Sequence, residues 1–447
     1  MSRRTTPKAS RADVRSTTGS PGRHRAHSQG VSTARQRASS GGAPPEPPDP
    51  PAAATSGVAG PGRAPALESV PEGVVTLADH ARHAQTRLDA NALAYFDGGA
   101  GDEISVRNNR ACWDSIPLLP RVLRDLRGGH TRQQLLGRTL SHPVLLAPVA
   151  YQRMAHPDGE LASAHAAAAL GAGMVLSMQA SVAMDAVAHA MLSAPGRGPL
   201  WFQLVMQHDR GFVRELIARV EHAGFEALVL SVDAPVHGAR DRERRAGFQL
   251  PSGISAVNLS SIRRTPAPTQ PPGQRGLCDG LIDIAPSWSD LDWLQQQTRL
   301  PVLLKGVLHP DDARQARNAG IAGLIVSNHG GRTLDTVVPT AWALPRIVQA
   351  TDGALPVLVD GGIRRGTDIV KAIALGARAV LIGRPYIHGL ANAGAVGVAH
   401  VLRLLRDELE IAMALSGCAR LEDIGPHTLA PVIAHGNPAA ATPSAAI

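Results

Sequence analysis

A histidine and an arginine three positions apart, His329 and Arg332, stand in the stretch Ser327-Asn-His-Gly-Gly-Arg-Thr-Leu-Asp335, directly after the apolar run Gly323-Leu-Ile-Val. An imidazole exchanges protons near neutral pH, and a guanidinium holds a carboxylate through two parallel hydrogen bonds. Chemistry on a small organic acid suits that pair. A lone histidine near a glycine turn is commonly structural, so the weight falls on what other apolar runs carry at their ends. Those ends read Ala147-Pro148-Val149-Ala150, Ser177, Gln203, Ser231 with Asp233, Lys305, Asp360-Gly361-Gly362-Ile363-Arg364 and Gly383-Arg384-Pro385. Lys305 is one of only three lysines beside 42 arginines. Where arginine is the habitual cation, a retained lysine points to work for a compact point charge.

The elements that must position these groups are short and regular. Candidate strands are Val144–Ala147, Met174–Ser177, Leu200–Leu204, Ala227–Val232, Val302–Lys305, Gly323–Ser327, Val357–Asp360 and Ala379–Ile382. Helical stretches fall between them, as at Gly159–Leu170, Gly211–Ala223, Pro310–Ala319 and Thr367–Leu375. Eight buried strands alternating with helices predict an α/β fold, a (β/α)8 TIM barrel, which places chemistry at the C-terminal ends of its strands. Two short helices within Leu77–Phe96 and the segment from Leu118 to the Thr139 region form a lead-in, and a helix over Ala391–Ser416 closes the domain. Lys371 reads as a surface residue of its helix.

The interval after the fourth strand is the exception. It holds a stretch from about 249 to 285, rich in Pro, Ser, Gly and Thr, which reads as a long mobile loop at the mouth of the barrel. Residues 1–70 are Ser/Arg/Pro-rich without apolar periodicity and predict a disordered basic tail, an organelle transit peptide being the other reading. The barrel then spans 71–435, and 436–447 form a short disordered C-terminal tail.

Charge and cysteine content narrow the function classes. The tail contains 10 Lys+Arg against 4 Asp+Glu, which is +6 of the formal +8, and leaves the folded part near neutral. Nucleic-acid binding is therefore not expected of the barrel; a tail docking on nucleic acid would show as salt-dependent binding lost with residues 1–70. Cys112, Cys278 and Cys418 make no metal pattern, and no apolar run reaches the length of about 18 residues that spans a bilayer. The expectation is a reduced, cytoplasmic protein with no metal and no membrane partner.

Gly361, Gly362 and Gly383 offer backbone N–H groups, and Arg364 and Arg384 offer charge, at the ends of the last two strands where barrels commonly hold phosphate. Gly98-Gly-Ala-Gly101 follows a helix and so fails the context of a dinucleotide fingerprint. A mononucleotide fits better than NAD.

From about Leu77 to Arg420 the chain resembles the FMN-dependent α-hydroxy-acid oxidase/dehydrogenase family, which includes glycolate oxidase, lactate oxidase and mandelate dehydrogenase. The resemblance rests on Ser327–Asp335, on Asp360-Gly-Gly-Ile-Arg-Arg-Gly-Thr-Asp368 and on Ile382-Gly-Arg-Pro385. Ala155-His-Pro-Asp-Gly-Glu160, Val232-Asp-Ala-Pro235 and Met413-Ala-Leu-Ser-Gly-Cys418 add to it. It implies FMN as cofactor and His329 as catalytic acid/base, with Asp233 bonded to its ring and favouring the protonated form. It further implies that Arg332 and Arg240 hold the substrate carboxylate and that Tyr95 donates a hydrogen bond. Lys305 would lie beside the flavin N1/O2 edge, with Ser327 and Asp360 among the cofactor contacts. Ser177, Gln203 and Ser231 would bond the isoalloxazine, Pro148, Val149 and Ala150 would pack near N5, and Arg364, Gly383 and Arg384 would bind phosphate. A homotetramer is implied as well.

Three positions depart from the family pattern. Val205 stands where relatives usually carry a tyrosine, Val149 where threonine is common, and Gln179 where an aromatic often lines the side pocket. Losing a phenol widens the substrate region, so glycolate is less favoured than a bulkier acid. The implied reaction is oxidation of an (S)-2-hydroxy acid to the 2-oxo acid, with reduced flavin reoxidised by dioxygen or another acceptor. The alternative is a flavin-binding barrel that acts on an atypical substrate, or lacks turnover and serves in binding or assembly. Whether His329 takes the α-proton or the hydroxyl proton stays open.

Overall fold

The computed structural model describes residues 68–262 and 285–431. The expected tails, apart from 68–70, and residues 263–284 of the expected loop lie outside the described residues. Eight parallel strands close a barrel: β3 (Val144–Leu146), β4 (Gly173–Ser177), β5 (Leu200–Leu204), β6 (Ala227–Ser231), β7 (Val302–Val307), β8 (Gly323–Val326), β9 (Val357–Val359) and β10 (Ala379–Ile382), with β10 pairing back onto β3. Each matches one of the eight runs read from sequence. The strands are buried on both faces, which is why they read as continuous apolar runs rather than alternating ones.

The two-residue period of a strand sorts their side chains. Leu145, Val175, Trp201, Ala227, Val229, Leu303, Ile325 and Leu358 fill the barrel interior. Leu146, Met174, Leu176, Phe202 and Leu228 face the surrounding helices. One step of two further along the same inward rows stand Ser177, Gln203, Ser231, Lys305, Ser327 and Asp360. The pleat therefore delivers these polar residues to the C-terminal mouth. The other end is closed by a hairpin, β1 (Gln133–Leu135) and β2 (Arg138–Leu140), whose Leu135 and Leu140 join the interior cluster.

Helices α4 (Glu160–Leu170), α5 (Met184–Leu192), α6 (Arg210–His222), α8 (Trp288–Gln296), α9 (Pro310–Asn318), α10 (Thr340–Thr351) and α11 (Gly366–Ala374) follow or precede the strands, and the short α7 (Asp241–Arg245) stands after β6. In the lead-in, Thr76 caps α1 (Leu77–Arg87) and Asp89 caps α2 (Ala90–Asp97) by accepting backbone N–H groups. The closing helix α12 (Arg384–Ser416) begins earlier than the expected Ala391, because Gly383 starts it and Pro385 fits its first turn. It breaks at Ala393 and Gly394.

One helix was not read from the sequence, and one reading changes. Helix α3 (Ile104–Asp114) carries a polar sequence and no cap from its own residues; Asp335, from the loop after β8, accepts the Ile104 and Ser105 N–H groups instead. Lys371 is buried, not superficial: its Nζ donates to the Trp113 carbonyl at 2.8 Å, and burial pulls its pKa below the ordinary lysine value. The stretch after α7 is partly anchored, since the buried Asn258 accepts the Met184 N–H at 2.9 Å.

Candidate active site

The loop after β8 folds tightly. His329, Gly330 and Gly331 all have positive φ, at 55°, 65° and 77°. Glycine adopts this region freely, whereas a histidine held there stores about 1–3 kcal/mol of strain, a feature typical of functional loops. The His329 N–H donates to Ser327 Oγ at 3.0 Å, and its ring Nδ1 meets Asp233 Oδ1 at 3.0 Å. With Nδ1 engaged, Nε2 is the nitrogen available to a ligand in the cavity that His329 lines. Burial opposes ionisation of Asp233, but the His329 ring and Lys305 outweigh it and hold the carboxyl below the ordinary aspartate value. Gly306, at φ 111°, lies so close to Asp233 that any side chain there would collide with it.

Lys305 is fully enclosed. Its Nζ donates to Ser327 Oγ at 2.8 Å and pairs with Asp360 Oδ2 at 3.0 Å. Burial works against the ammonium, yet Asp360 and Asp233 more than compensate, and its pKa rises above the ordinary lysine value. Across neighbouring strands Ser177 Oγ bonds Gln203 Oε1, and Gln203 Nε2 bonds Ser231 Oγ, both at 3.2 Å. Pro148, Val149 and Ala150 border the same cavity. Their loop is braced from behind by the buried Glu160, which accepts the Gln152 and Ser181 N–H groups.

On the opposite rim, Arg332 reaches α2, donating to the carbonyls of Tyr95 and Gly98, with the Gly98 contact at 2.7 Å. Its guanidinium carbon stands 5.1 Å from the centre of the Tyr95 ring, which stacks on Phe248 at 5.0 Å. Burial raises the Tyr95 phenol to about 12 against the pull of Arg332, so the group stays a hydrogen-bond donor at neutral pH. Arg240 opens α7, and its Nε is buried without a partner. The charged run Arg240–Arg245 is thus only half a solvated face: Arg244 and Arg245 point out, while Arg240 and Glu243 turn inward.

At the ends of β9 and β10, Gly361 and Gly362 share φ 87°. A Cβ on Gly362 would lie 2.7 Å from the Asn109 carbonyl oxygen. Helix α3 clasps this loop: Trp113 Nε1 donates to the Gly361 carbonyl at 2.8 Å, and Arg110 bonds the Gly362 carbonyl and Asp368. Arg364 and Arg384 form no ion pair with any carboxylate of the described residues. Burial and the neighbouring cations lower Arg364 to about 10 and Arg384 to about 9. Arg384 is held by three carbonyls, Phe96, Gly98 and Gly330, at 2.9–3.1 Å. Two enclosed cations with exposed glycine amides beside them fit an anion such as phosphate.

One cavity of ≈ 1170 Å³ is lined by His329, Arg332, Arg240, Tyr95, Lys305 and both recess arginines, Arg364 and Arg384. Of the catalytic, substrate and cofactor residues expected from sequence, Asp233 and Ser327 stand behind its wall, each touching a residue that lines it, and the others line it. The fit to FMN rests on the enclosed Arg364/Arg384 pair and on Asp360 Oδ1, a buried acceptor without a partner that a ribityl hydroxyl would satisfy. Glu243, Arg110, Trp113, Asn109 and Glu160 were not singled out beforehand. Their roles depend on contacts across 89 or more positions for Glu243 and Arg332, and more for the α3 contacts, so only Glu160, inside a family motif, had any signal.

Residues 84–431 match the model of the FMN-dependent dehydrogenase family. The chain belongs to that family. It is 48% identical over 365 residues to an L-lactate oxidase of Alicycliphilus denitrificans, covering 81% of this chain and 98% of the other. It is 44% identical over 344 residues to glycolate oxidase 1 of Zea mays, covering 76% and 91%. Among solved structures, mandelate oxidase with benzoyl-formic acid superposes with a TM-score of 0.71 at 40% identity, covering 80% of this chain and 98% of that one. Membership of the FMN-dependent dehydrogenase family thus accounts for the flavin cofactor.

Proposed function

We propose that the protein oxidises an (S)-2-hydroxy acid to the 2-oxo acid with FMN, and that dioxygen reoxidises the reduced cofactor to yield hydrogen peroxide. The observation that carries this reading is the convergence of His329, Arg332 and Arg240 on one cavity beside the Arg364/Arg384 recess. The oxidase names of the relatives support dioxygen as acceptor.

FMN, when bound, supplies the acceptor for the two electrons that leave the substrate. Gly361, Gly362, Arg364, Gly383 and Arg384 would hold its phosphate, Asp360 a ribityl hydroxyl, and Ser177, Gln203, Ser231 and Lys305 the ring edge. Arg332 and Arg240 receive the substrate carboxylate, and Tyr95 adds a donor, so the substrate is fixed before reaction. His329 takes up the substrate proton at Nε2, while Asp233 keeps the ring oriented through Nδ1 and balances the imidazolium. Lys305, locked by Asp360 and Ser327, would offer a fixed positive charge to the ring edge of the bound cofactor.

The substrate side of the cavity favours a bulky apolar group over a minimal one. Val205, Met206, Met178 and Leu259 line it, and Gln179 stands where an aromatic would narrow it. A barrel without turnover is the weaker reading, because the His329–Asp233 pair and both arginines are in place. Exposed apolar side chains near the end of α12, including Leu123, Ile411 and Leu415, support assembly into a homotetramer. Free Cys112 and Cys418 accord with a cytoplasmic location.

The test is His329→Gln. FMN should remain bound while anaerobic bleaching of the flavin by a panel of 2-hydroxy acids falls by orders of magnitude; unchanged bleaching removes His329 from the mechanism. The same panel in air, with peroxide detection, identifies the acceptor.

A further inference from the structure

An acidic side chain inside an anion-binding pocket needs a reason, and Glu243 is one. Its Oε1 lies 3.1 Å from Arg332 and 3.3 Å from Arg240, so one carboxylate is shared between both guanidinium groups. All three side chains are less than one-fifth exposed. The contact joins the loop after β8 to α7, and α7 is fixed in turn where the Phe248 N–H bonds the Glu243 carbonyl at 2.9 Å.

Apart from Arg364 and Arg384, which have no carboxylate partner among the described residues and border the part of the cavity read as the phosphate site, the charges around the cavity pair off. His329 faces Asp233, and Lys305 faces Asp360. Arg244 at the mouth is exposed and faces Asp241, so solvent screens it. Arg332 and Arg240 have Glu243 between them and no second carboxylate among the described residues. The arginine pair therefore carries one positive charge in excess, enough for one substrate carboxylate.

We propose that Glu243 sets the charge stoichiometry of this pair: it positions both arginines and matches them to a monocarboxylic 2-hydroxy acid, discriminating against acids with a second carboxylate nearby. The inference rests on Arg332 and Arg240 holding the substrate carboxylate, as read above. Repulsion of the wrong anion is as effective for specificity as attraction of the right one.

The experiment uses the FMN-loaded protein and two probes, acetate with one carboxylate and oxalate with two, each titrated against the flavin absorbance. Glu243→Gln is isosteric and keeps an acceptor for the arginines. It should shift the ratio of oxalate to acetate affinity by about tenfold toward oxalate, as expected for removing one nearby charge from a half-buried pocket. Glu243→Asp keeps the charge and should keep the wild-type ratio. Equal shifts for both probes in Glu243→Gln would mean a purely structural role and would overturn the proposal. A tenfold change of ratio in Glu243→Asp would do the same, whatever becomes of the Gln variant. If neither probe perturbs the wild-type flavin, the carboxylate-holding role of the arginines fails as well, and both readings fall together.

Discussion

At the scale of single residues, each functional group is defined by what holds it. Arg332 spreads its donors over Tyr95, Gly98 and Glu243, which is possible only for a planar fork. Arg332→Lys replaces the fork by a point charge and leaves the α2 carbonyls short of donors. Such a loss is worth about 3 kcal/mol, on the order of 100-fold in kcat/KM, and should fall mainly on KM. Steady-state kinetics on the FMN-loaded variant checks it; a loss confined to kcat would argue that Arg332 serves the reaction step rather than binding.

Elements act by bracing these groups from a distance. The C-terminal end of α2 receives both Arg332 and Arg384, so its free carbonyls link the substrate side to the phosphate side. Helix α3 clasps the glycine loop through Trp113 and Arg110. On the outer face, α1 meets α12 through His80, whose Nε2 lies 2.9 Å from His400 Nδ1 and whose Nδ1 faces the Asn392 amide at 3.1 Å. Burial, with the nearby His400 and His388, lowers His80 to about 4. A depressed native pKa means that the unfolded chain binds the proton more readily. The stability that neutral His80 contributes is therefore complete above pH 6.5 and is lost as the pH falls towards about 4. The amount is up to ~3 kcal/mol. Hydrogen exchange in α1 should accelerate over that window, and His80→Asn should flatten the response; an equally steep response in the variant would assign it elsewhere.

For the whole molecule, the barrel leaves an apolar surface where residues 119–123 run beside the end of α12. Leu123 is fully exposed and Leu415 is 72% exposed. The Arg121 N–H bonds the Ser416 carbonyl, so these side chains share one neighbourhood. If copies meet there, light scattering should give about four times the 46.7 kDa of one chain. The pair Leu123→Asp and Leu415→Asp should reduce that mass while the flavin spectrum persists. A monomeric wild type would exclude the tetramer. No helix of the described residues is long and apolar enough to cross a membrane.

Much of this was legible in the chain itself. Strands buried on both faces must be apolar throughout, so all eight announced themselves, and the polar residues that end six of the inward rows stood out where the apolar runs stop. Gly330, Gly331, Gly361 and Gly362 marked the two loops in the sequence, because glycine adopts such backbone freely; the left-handed backbone of His329 itself was not readable. What sequence could not decide were groups whose meaning comes from a remote partner. Helix α3 is capped by Asp335, Lys371 is buried beneath Trp113, and Glu243 sits half-buried in a charged run beside the exposed Arg244 and Arg245. Local pattern reports burial and backbone geometry; the pairing of charges across distant loops is fixed only when the barrel closes and brings them within reach.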